Sequence, residues 1–353
     1  MTDQKRLRDY EIPIGTLPTG ARNAITDVPG VRVGHVTLDD GPVKTGVTAI
    51  LPHGDNVFRE KVLAAYHVIN GFGKSTGLVQ IEELGTIETP ILLTNTLSVG
   101  TVSEALVRYK LARNEDIGIA AGTVNPLVLE CNDGYLNDIR GLHVRAEHVF
   151  TAIANASEDV AEGAVGAGTG MSCYQLKGGI GTSSRVISIA EKDYTVGVLV
   201  LSNFGRLDDL RIDGQPVGRR IIEHREQATR PEPDKGSIIL IVATDLPVSE
   251  RQLKRLAKRT EVGLVRTGSY IGHGSGDIAV CFSTAQRMQH EGVAVHPLHM
   301  LDDSHLDPAF RAVAESTEEA ILNSMIAAHT TVGRDGHVRE SLRGYLDRGQ
   351  EKQ

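Results

Sequence analysis

Apolar residues along this chain occur mostly in short runs separated by glycine, proline and polar residues. The most uniform run, residues 238–242, contains only isoleucine, leucine and valine, and it follows a polar tract. A run of this length without polar alternation is typical of a strand that is buried on both faces. The sequence therefore predicts a central core strand, with Gly236 and Ser237 at its entrance.

Similar apolar runs predict strands at residues 31–36, 47–51, 90–94, 117–121, 196–201 and 278–282. Helical spacing of apolar residues predicts helices over 98–113, 144–153 and 307–329, the first with Ser98 as a candidate cap. Ser249 and Gln252 have the spacing of a capping box that opens another helix. Because helices lie among strands on both sides of the central run, the pattern favours a layered α+β fold, the αββα sandwich.

Composition narrows the classes of protein that fit. The 353 residues are 40% hydrophobic but only 4% aromatic, so an aliphatic core is expected. Length alone would allow two or three domains as well as one, and a single domain spanning 1–353 is the expectation. A net charge of −8 without a basic block argues against nucleic-acid or anionic-membrane partners. Cys131, Cys173 and Cys281 lack metal-like spacing and are predicted to be buried, reduced thiols. The chain has no signal-like or membrane-spanning apolar segment, which predicts a cytoplasmic protein.

Two glycine-rich segments resemble nucleotide-binding loops without matching them. The Walker pattern around residues 71–76 requires glycine at position 68, which is Val68. The dinucleotide fingerprint around residues 163–171 requires glycine at position 171, which is Met171. No cofactor is therefore predicted. The glycines at 166–170 and 178–181 are interpreted as points where main chain passes close to other backbone or to a substrate, and Gly168 is a candidate substrate-binding residue.

The histidines and aspartates between residues 290 and 305 could converge on a metal ion. They lie in a polar loop between a predicted strand and a predicted helix. Because the chemistry considered below requires no metal, no metal site is predicted.

The Gly236-Ser237 step has the features that self-cleavage requires. Residues 227–234 have the composition of a loose linker, Gly236 leaves its carbonyl unhindered, and Ser237 begins a rigid strand. The Ser237 hydroxyl could attack the Gly236 carbonyl in an N-to-O acyl shift, and water would then hydrolyse the ester. The alternative is that Gly-Ser merely ends a loop.

Other polar residues follow or precede predicted strands. Ser275 and Asp277 lie two positions apart, so on an extended chain they share a face and can relay a proton to or from Ser237. Asn203 could donate its amide to a developing oxyanion, and Tyr135 could provide a second donor. The alternatives are an ordinary aspartate in a glycine-rich turn, an asparagine that caps a turn, and a packing tyrosine.

Taken together, these segments resemble one known family. Residues 23–31, 45–52, 94–100, 131–138, 166–171, 236–238 and 272–277 resemble the L-aminopeptidase D-Ala-esterase/amidase family, which includes the β-peptidyl aminopeptidases. The resemblance extends from about residue 7 to residue 343. It implies an αββα sandwich akin to that of N-terminal-nucleophile hydrolases, but with different connectivity.

The resemblance also implies residue roles. The chain would cut itself between Gly236 and Ser237 into an α chain, 1–236, and a β chain, 237–353. Ser237 would be the nucleophile, Tyr135 and Asn203 oxyanion-side residues, and Ser275 with Asp277 the activating pair. The family commonly has glutamate at the last position, so Asp277 is a departure. A tetramer of αβ units without a cofactor would be the working form.

The expected reaction is release of small N-terminal residues from short peptides, amides or esters. An aminopeptidase must recognise a free ammonium group, and Glu130 and Asp133 are the candidate acidic partners. The alternative is that both are solvated surface carboxylates. Two other functions remain open at this point: acyl transfer to an amine from the same acyl-enzyme, and ligand binding by an inactive homologue.

Overall fold

A computed structural model describes residues 4–225, 236–292 and 294–350, with backbone alone for 349 and 350. The described strands are, in chain order, β1 (Arg32–Asp40), β2 (Val43–Leu51), β3 (Glu60–Asn70), β4 (Thr86–Ile87), β5 (Ile91–Asn95), β6 (Leu127–Cys131), β7 (Ser172–Cys173), β8 (Leu176–Lys177), β9 (Gly179–Ile189), β10 (Lys192–Asn203), β11 (Ser237–Thr244), β12 (Gly276–Gln289), β13 (Thr331–Val332) and β14 (Val338–Arg339). The described helices are α1 (Leu78–Leu84), α2 (Val99–Leu111), α3 (Ala146–Ala154), α4 (Val217–Glu223), α5 (Glu250–Arg266), α6 (Asp307–Ile326) and α7 (Arg343–Gln350).

Two sheets face each other. The first has the strand order β1-β2-β5-β6, and the second has the order β4-β3-β12-β11-β10-β9. Helices α2 and α3 pack on the outer face of the first sheet, and α5 and α6 pack on the outer face of the second. A separate apolar cluster fills the space between the sheets. The layers confirm the predicted αββα sandwich.

Strand β11 shows why its sequence lacks polar alternation. Ile238, Leu240 and Val242 belong to the core under the helices, whereas Ile239 and Ile241 belong to the core between the sheets. Successive side chains of a strand point to opposite faces, so a strand covered on both faces needs apolar residues throughout. The predicted core strand is confirmed and extends from Ser237 to Thr244.

Other local predictions meet mixed outcomes. The capping box of Ser249 and Gln252 opens α5 as predicted. Ser98 is the N-cap residue of α2, as predicted, but its side chain makes no cap bond. Asn95 caps the short turn before it by accepting from the Leu97 and Ser98 amides. All three cysteines are free and buried, as predicted. The predicted linker at 227–234 lies outside the described residues.

The strand predicted at 117–121 is wrong. Gly118 has a φ of +77°, and the amides of residues 119, 120 and 121 all donate to the Asp116 carbonyl at 3.0 Å. These bonds close a turn that leaves a single bridge between Ile117 and Ala121. No helix in the described part of the chain is long and apolar enough to span a lipid bilayer.

Candidate active site

Three strand ends meet around Ser237. Ser237 is the first residue of β11 and pairs with Asn203, the last residue of β10. On its other side it pairs with Gly276, the first residue of β12. The Ser237 side chain is only 5% exposed, and its Oγ has no hydrogen-bond partner among the described residues. The sheet register therefore places the buried Ser237 hydroxyl, without a hydrogen-bond partner among the described residues, between Asn203 on one strand and the Ser275–Asp277 segment on the other.

Glycine is required on both sides of this hydroxyl. A Cβ at Gly236 would lie 2.4 Å from the Asn203 carbonyl oxygen, and a Cβ at Gly276 would lie 2.2 Å from the Phe72 carbonyl oxygen. The Gly276 amide donates to the Gly236 carbonyl at 3.1 Å. The carbonyl that precedes Ser237 is therefore held in place and polarised by a backbone donor.

Ser275 and Asp277 form the predicted hydroxyl–carboxylate pair. The Ser275 hydroxyl donates to Asp277 Oδ1 at 2.6 Å, and the two side chains are 2% and 1% exposed. Asn70 donates its amide to the Ser275 carbonyl, which fixes the approach to β12. Ser275 and Asp277 flank Gly276, which is the register partner of Ser237. Their buried, charge-assisted hydrogen bond therefore lies next to the strand position opposite Ser237.

Asn203 bridges two separate loops. Its Oδ1 accepts from the Ser172 amide at 2.9 Å, and its Nδ2 donates to the Asn132 carbonyl at 3.0 Å. The alternative that it caps its own turn is therefore wrong. A carboxamide nitrogen carries two hydrogens, so the bond to Asn132 leaves one available for a substrate oxygen.

Tyr135 is held by the C-terminal part of the chain. Its ring stacks on His337 with centroids 4.6 Å apart, and the Arg339 guanidinium lies 3.6 Å over the ring centre. His337 Nδ1 also bonds to the Tyr135 carbonyl at 2.8 Å. Sequence reasoning missed His337 and Arg339, because no spacing or motif links them to Tyr135.

Glu130 and Asp133 are buried, at 5% and 0% exposure, so the alternative that they are solvated surface carboxylates is wrong. Glu130 Oε1 accepts from the Lys74 amide at 3.0 Å, and its Oε2 accepts from the Thr96 hydroxyl. Asp133 Oδ1 accepts from Asn137 at 3.0 Å, while its Oδ2 has no partner within the described residues. Burial raises the pKa of Asp133 to about 7.

Cys131, which the sequence predicted only as a buried thiol, lies beside the candidate nucleophile. Burial raises the pKa of its thiol, the nearby Ser237 hydroxyl lowers it, and the charges of Glu130 and Asp277 raise it further. The thiol itself donates to the Leu201 carbonyl at 3.5 Å. The Cys131 thiol therefore lies within electrostatic reach of Glu130 and Asp277.

The glycine-rich segments serve the site in different ways. A Cβ at Gly168 would meet the Ile180 amide at 2.6 Å and the Gly163 carbonyl at 2.8 Å, so this glycine permits backbone to pack on backbone. Its role in substrate binding stays a prediction. The segment rejected as a Walker loop contributes the Phe72 carbonyl against Gly276 and the Lys74 amide bound to Glu130.

Within the described residues, no group of three or more His, Cys, Asp or Glu side chains is placed to hold a metal ion. The polar groups around Ser237 are instead those of acyl-transfer chemistry: a hydroxyl, a hydroxyl–carboxylate pair and an amide donor. They lie where two sheets and two loops converge, which holds them in fixed positions.

Known proteins share this architecture along nearly the full chain. Residues 23–339 match peptidase family S58. Beta-peptidyl aminopeptidase BapA of Sphingosinicella microcystinivorans is 44% identical over 359 residues, covering 96% of this chain and 89% of that protein. The structure of the PH0078 protein from Pyrococcus horikoshii OT3 is 55% identical with a TM-score of 0.93, covering 99% of each chain. The L-aminopeptidase D-Ala-esterase/amidase from Ochrobactrum anthropi, a variant of the Ntn hydrolase fold, is 38% identical with a TM-score of 0.91 over 98% of each chain.

Proposed function

Because the chain belongs to peptidase family S58 and is an aminopeptidase, we propose that it processes itself at Gly236–Ser237 and then works through an acyl-enzyme on Ser237. The observation that carries the proposal is the buried Ser237 hydroxyl, without a hydrogen-bond partner among the described residues, in register between Asn203 and Gly276. The products of processing would be chains 1–236 and 237–353.

In the processing step, Ser237 Oγ adds to the Gly236 carbonyl carbon and the carbon–nitrogen bond between the two residues breaks. The hydroxyl proton passes to the departing Ser237 nitrogen, which leaves an ester between Gly236 and Oγ. Water hydrolyses this ester to a Gly236 carboxylate and a free Ser237. The Gly276 amide, 3.1 Å from the Gly236 carbonyl oxygen, would stabilise the negative charge that develops there.

In the turnover step, the freed Ser237 hydroxyl attacks the carbonyl of a substrate and forms an ester as the bond to the leaving amine or alcohol breaks. The hydroxyl proton ends on that leaving group, and water then hydrolyses the ester to release the N-terminal residue and restore Ser237. A serine hydroxyl needs a base, and an N-terminal nucleophile has its own α-amine nearby. The hydrogen-bonded Ser275–Asp277 pair, whose oxygens are 2.6 Å apart, supports a relay that orients this amine and accepts its proton. Asn203 and Tyr135 would stabilise the substrate oxyanion, since one Asn203 hydrogen is not used by Asn132.

Substrate selection would rest on the ammonium group of the substrate. Of the two predicted acidic partners, Glu130 has the stronger support. The Lys74 amide and the Thr96 hydroxyl each hold one of its oxygens in a fixed position, whereas the raised pKa of Asp133, about 7, favours a neutral group at lower pH. The expected substrates are short peptides, amides or esters with small N-terminal residues, including the β-amino acids that BapA is named for.

Paired substrates test this function. Alanyl-p-nitroanilide should be hydrolysed with a kcat/KM at least about 100-fold above that of its N-acetyl form, because a charge-assisted bond is lost and a buried carboxylate is left without a countercharge. In Glu130→Gln the preference should shrink, whereas in Glu104→Gln, an exposed α2 residue paired with Arg108, it should persist. Comparable rates for the two substrates with the wild-type enzyme would rule out ammonium recognition.

Two further properties belong to the same proposal. We expect a homotetramer of αβ units, as the resemblance implies, and a cytoplasmic location. Mass photometry of the purified enzyme measures the assembly, and fractionation of the producing cells measures the location.

A further inference from the structure

Lys177 is a fully buried lysine that the proposed mechanism does not use. It ends β8, and its side chain has 0% exposure. Its Nζ donates to three backbone carbonyls: Gly168 at 3.0 Å, Met171 at 2.9 Å and Gly178 at 2.7 Å. An ammonium group has three hydrogens, so every donor of this buried cation is used on main-chain oxygens.

This arrangement resembles a structural cation bound by carbonyl oxygens. Burial lowers the pKa of Lys177 to about 7, and the charge of Asp133 acts in the opposite direction. The three carbonyl acceptors also favour the charged amine, because each bond to an ammonium is charge-assisted. Removing the ammonium would leave three buried carbonyls short of a donor, which is costly.

The turn held in this way leads directly to the oxyanion side of the site. Ser172 follows Met171 and is the register partner of Lys177 in the β7–β8 hairpin. The Ser172 amide donates to Asn203 Oδ1 at 2.9 Å. This bond decides which end of the Asn203 carboxamide is the donor, so its Nδ2 points towards Asn132.

The same turn also packs on the loop that carries Tyr135. A Cβ at Gly170 would lie 2.9 Å from the Asp133 Cβ and 2.1 Å from the Lys44 carbonyl oxygen. The backbone carbonyl of Asp133 accepts hydrogen bonds from the amides of Leu136 and Asn137. Tyr135 therefore lies inside a turn that begins at Asp133, the residue that packs against Gly170. Both proposed oxyanion donors are thus next to main chain that Lys177 fixes.

We propose that Lys177 is a positioning residue that sets the orientation of the Asn203 carboxamide, and the placement of the Tyr135 loop, by binding the carbonyls of residues 168, 171 and 178. This inference rests on the proposed function, in which Asn203 and Tyr135 stabilise the substrate oxyanion. Lys177 acts on the transition state through them and touches no substrate.

The test compares two buried lysines. Lys177→Met keeps an unbranched side chain but removes the ammonium. Lys110→Met does the same in α2, where Lys110 is 2% exposed and donates to Asn56 at 2.8 Å. With alanyl-p-nitroanilide, and with kcat expressed per fragment that begins at Ser237, Lys177→Met should lower kcat about 100-fold and change KM less than about threefold. Lys110→Met should keep the wild-type kcat.

A double-mutant cycle separates this proposal from the function on which it rests. If Lys177 acts through Asn203 and the Tyr135 loop, Lys177→Met should cost clearly less than about 100-fold in kcat when added to Asn203→Ala, because only the part carried by the Tyr135 loop remains. Full additivity, or a wild-type kcat in Lys177→Met, would overturn the proposal. A wild-type kcat in Asn203→Ala alone would instead reject the oxyanion role of Asn203.

A folding failure also gives an answer. Lys177→Gln, which retains an amide donor, repeats the comparison if Lys177→Met does not fold, and its kcat should lie between those of wild type and Lys177→Met. If both variants fail to fold while Lys110→Met folds, Lys177 serves the fold as a whole and the positioning role is rejected.

Discussion

At the scale of single residues, the Ser237 hydroxyl is the most informative group. A buried polar atom without a partner costs roughly 1–3 kcal/mol, so folded proteins rarely keep one without a use for it. Ser237 Oγ is such an atom within the described residues, and the Ser275–Asp277 pair lies beside its register partner Gly276. The nucleophilic role proposed for Ser237 would give this hydroxyl such a use.

Asp277 should supply charge to this arrangement. Asp277→Asn keeps the side-chain size but replaces the charged acceptor of the Ser275 hydroxyl, so kcat should fall by about 10² to 10⁴, the usual contribution of acid–base catalysis. Asp277→Glu keeps the charge and introduces the residue that is common in the family, so it should retain more activity. The measurement is kcat with alanyl-p-nitroanilide per cleaved chain. A wild-type kcat in Asp277→Asn would rule out the relay.

The sequence located the residues at strand ends but missed those that support them. Ser237, Asn203 and Asp277 border apolar runs, so their meeting follows from strand pairing. His337 contacts Tyr135 from 202 positions away, and Lys74 contacts Glu130 from 56 positions away. Contacts of this kind depend on how loops fold back, which no local period encodes.

At the scale of elements, glycine explains where strand prediction succeeds and fails. β9 contains Gly179 and Gly181 and was not predicted, because glycine weakens a strand on propensity alone. In the folded chain a Cβ at Gly181 would lie 2.0 Å from the Ala320 carbonyl oxygen of α6. The close approach of helix to strand is what requires glycine there, and it confirms the interpretation of the 178–181 glycines as points of close backbone packing.

His35 should make the contact between β1, β2 and the Gly166 turn sensitive to acid. Its Nδ1 bonds to Thr48 Oγ1 at 2.9 Å, Thr48 Oγ1 accepts from the Ala167 amide at 3.1 Å, and burial lowers the pKa of His35 from 6.5 to about 4. A depressed folded-state pKa means that this stability is complete above pH 6.5 and is lost as the pH falls from 6.5 to about 4.

Replacing His35 should therefore flatten this part of the pH profile. Between pH 7 and pH 4.5, His35→Gln should lose less free energy of unfolding in urea than the wild type does, by at most about 3 kcal/mol. His299→Gln, which changes an exposed imidazole, is the control and should follow the wild-type profile. A His35→Gln profile parallel to that of the wild type would show that His35 is not the acid-sensitive group.

At the scale of the whole molecule, buried charges connect distant parts of the chain. Arg185 in β9 has 0% exposed side chain and pairs with two α6 carboxylates, Glu315 at 3.2 Å and Glu319 at 2.7 Å. Glu319 also pairs with Arg8 at 2.8 Å, near the N-terminal end of the described chain. This network joins the N-terminal segment, the edge of the second sheet and its covering helix.

Breaking the network from one side should be costly. Arg185→Met leaves buried carboxylates without their partner and should lower the free energy of unfolding by about 3–5 kcal/mol. Arg108→Met removes an exposed pair with Glu104 in α2 and should cost about 0.5 kcal/mol or less. Urea titrations of both variants at pH 7 measure the difference. Equal losses would mean that the buried pairs do not hold the layers together.

The layer order could be predicted from the sequence because it depends on which runs are apolar throughout, as in β11. The order of strands within each sheet could not, because β12 pairs in parallel with β11 but antiparallel with β3. Such pairings are set by chain connections and by side chains far apart in sequence.

Denaturing mass spectrometry of the purified protein and of Ser237→Ala tests the central claim most directly. The wild type should give two fragments, 1–236 and 237–353, whereas Ser237→Ala should remain one inactive chain. The substitution removes an oxygen that has no hydrogen bond among the described residues, so the variant should fold and its loss of activity should report chemistry. A fully active wild-type protein that remains one full-length chain, or an active Ser237→Ala variant, would contradict both self-processing and the role of Ser237 as the nucleophile.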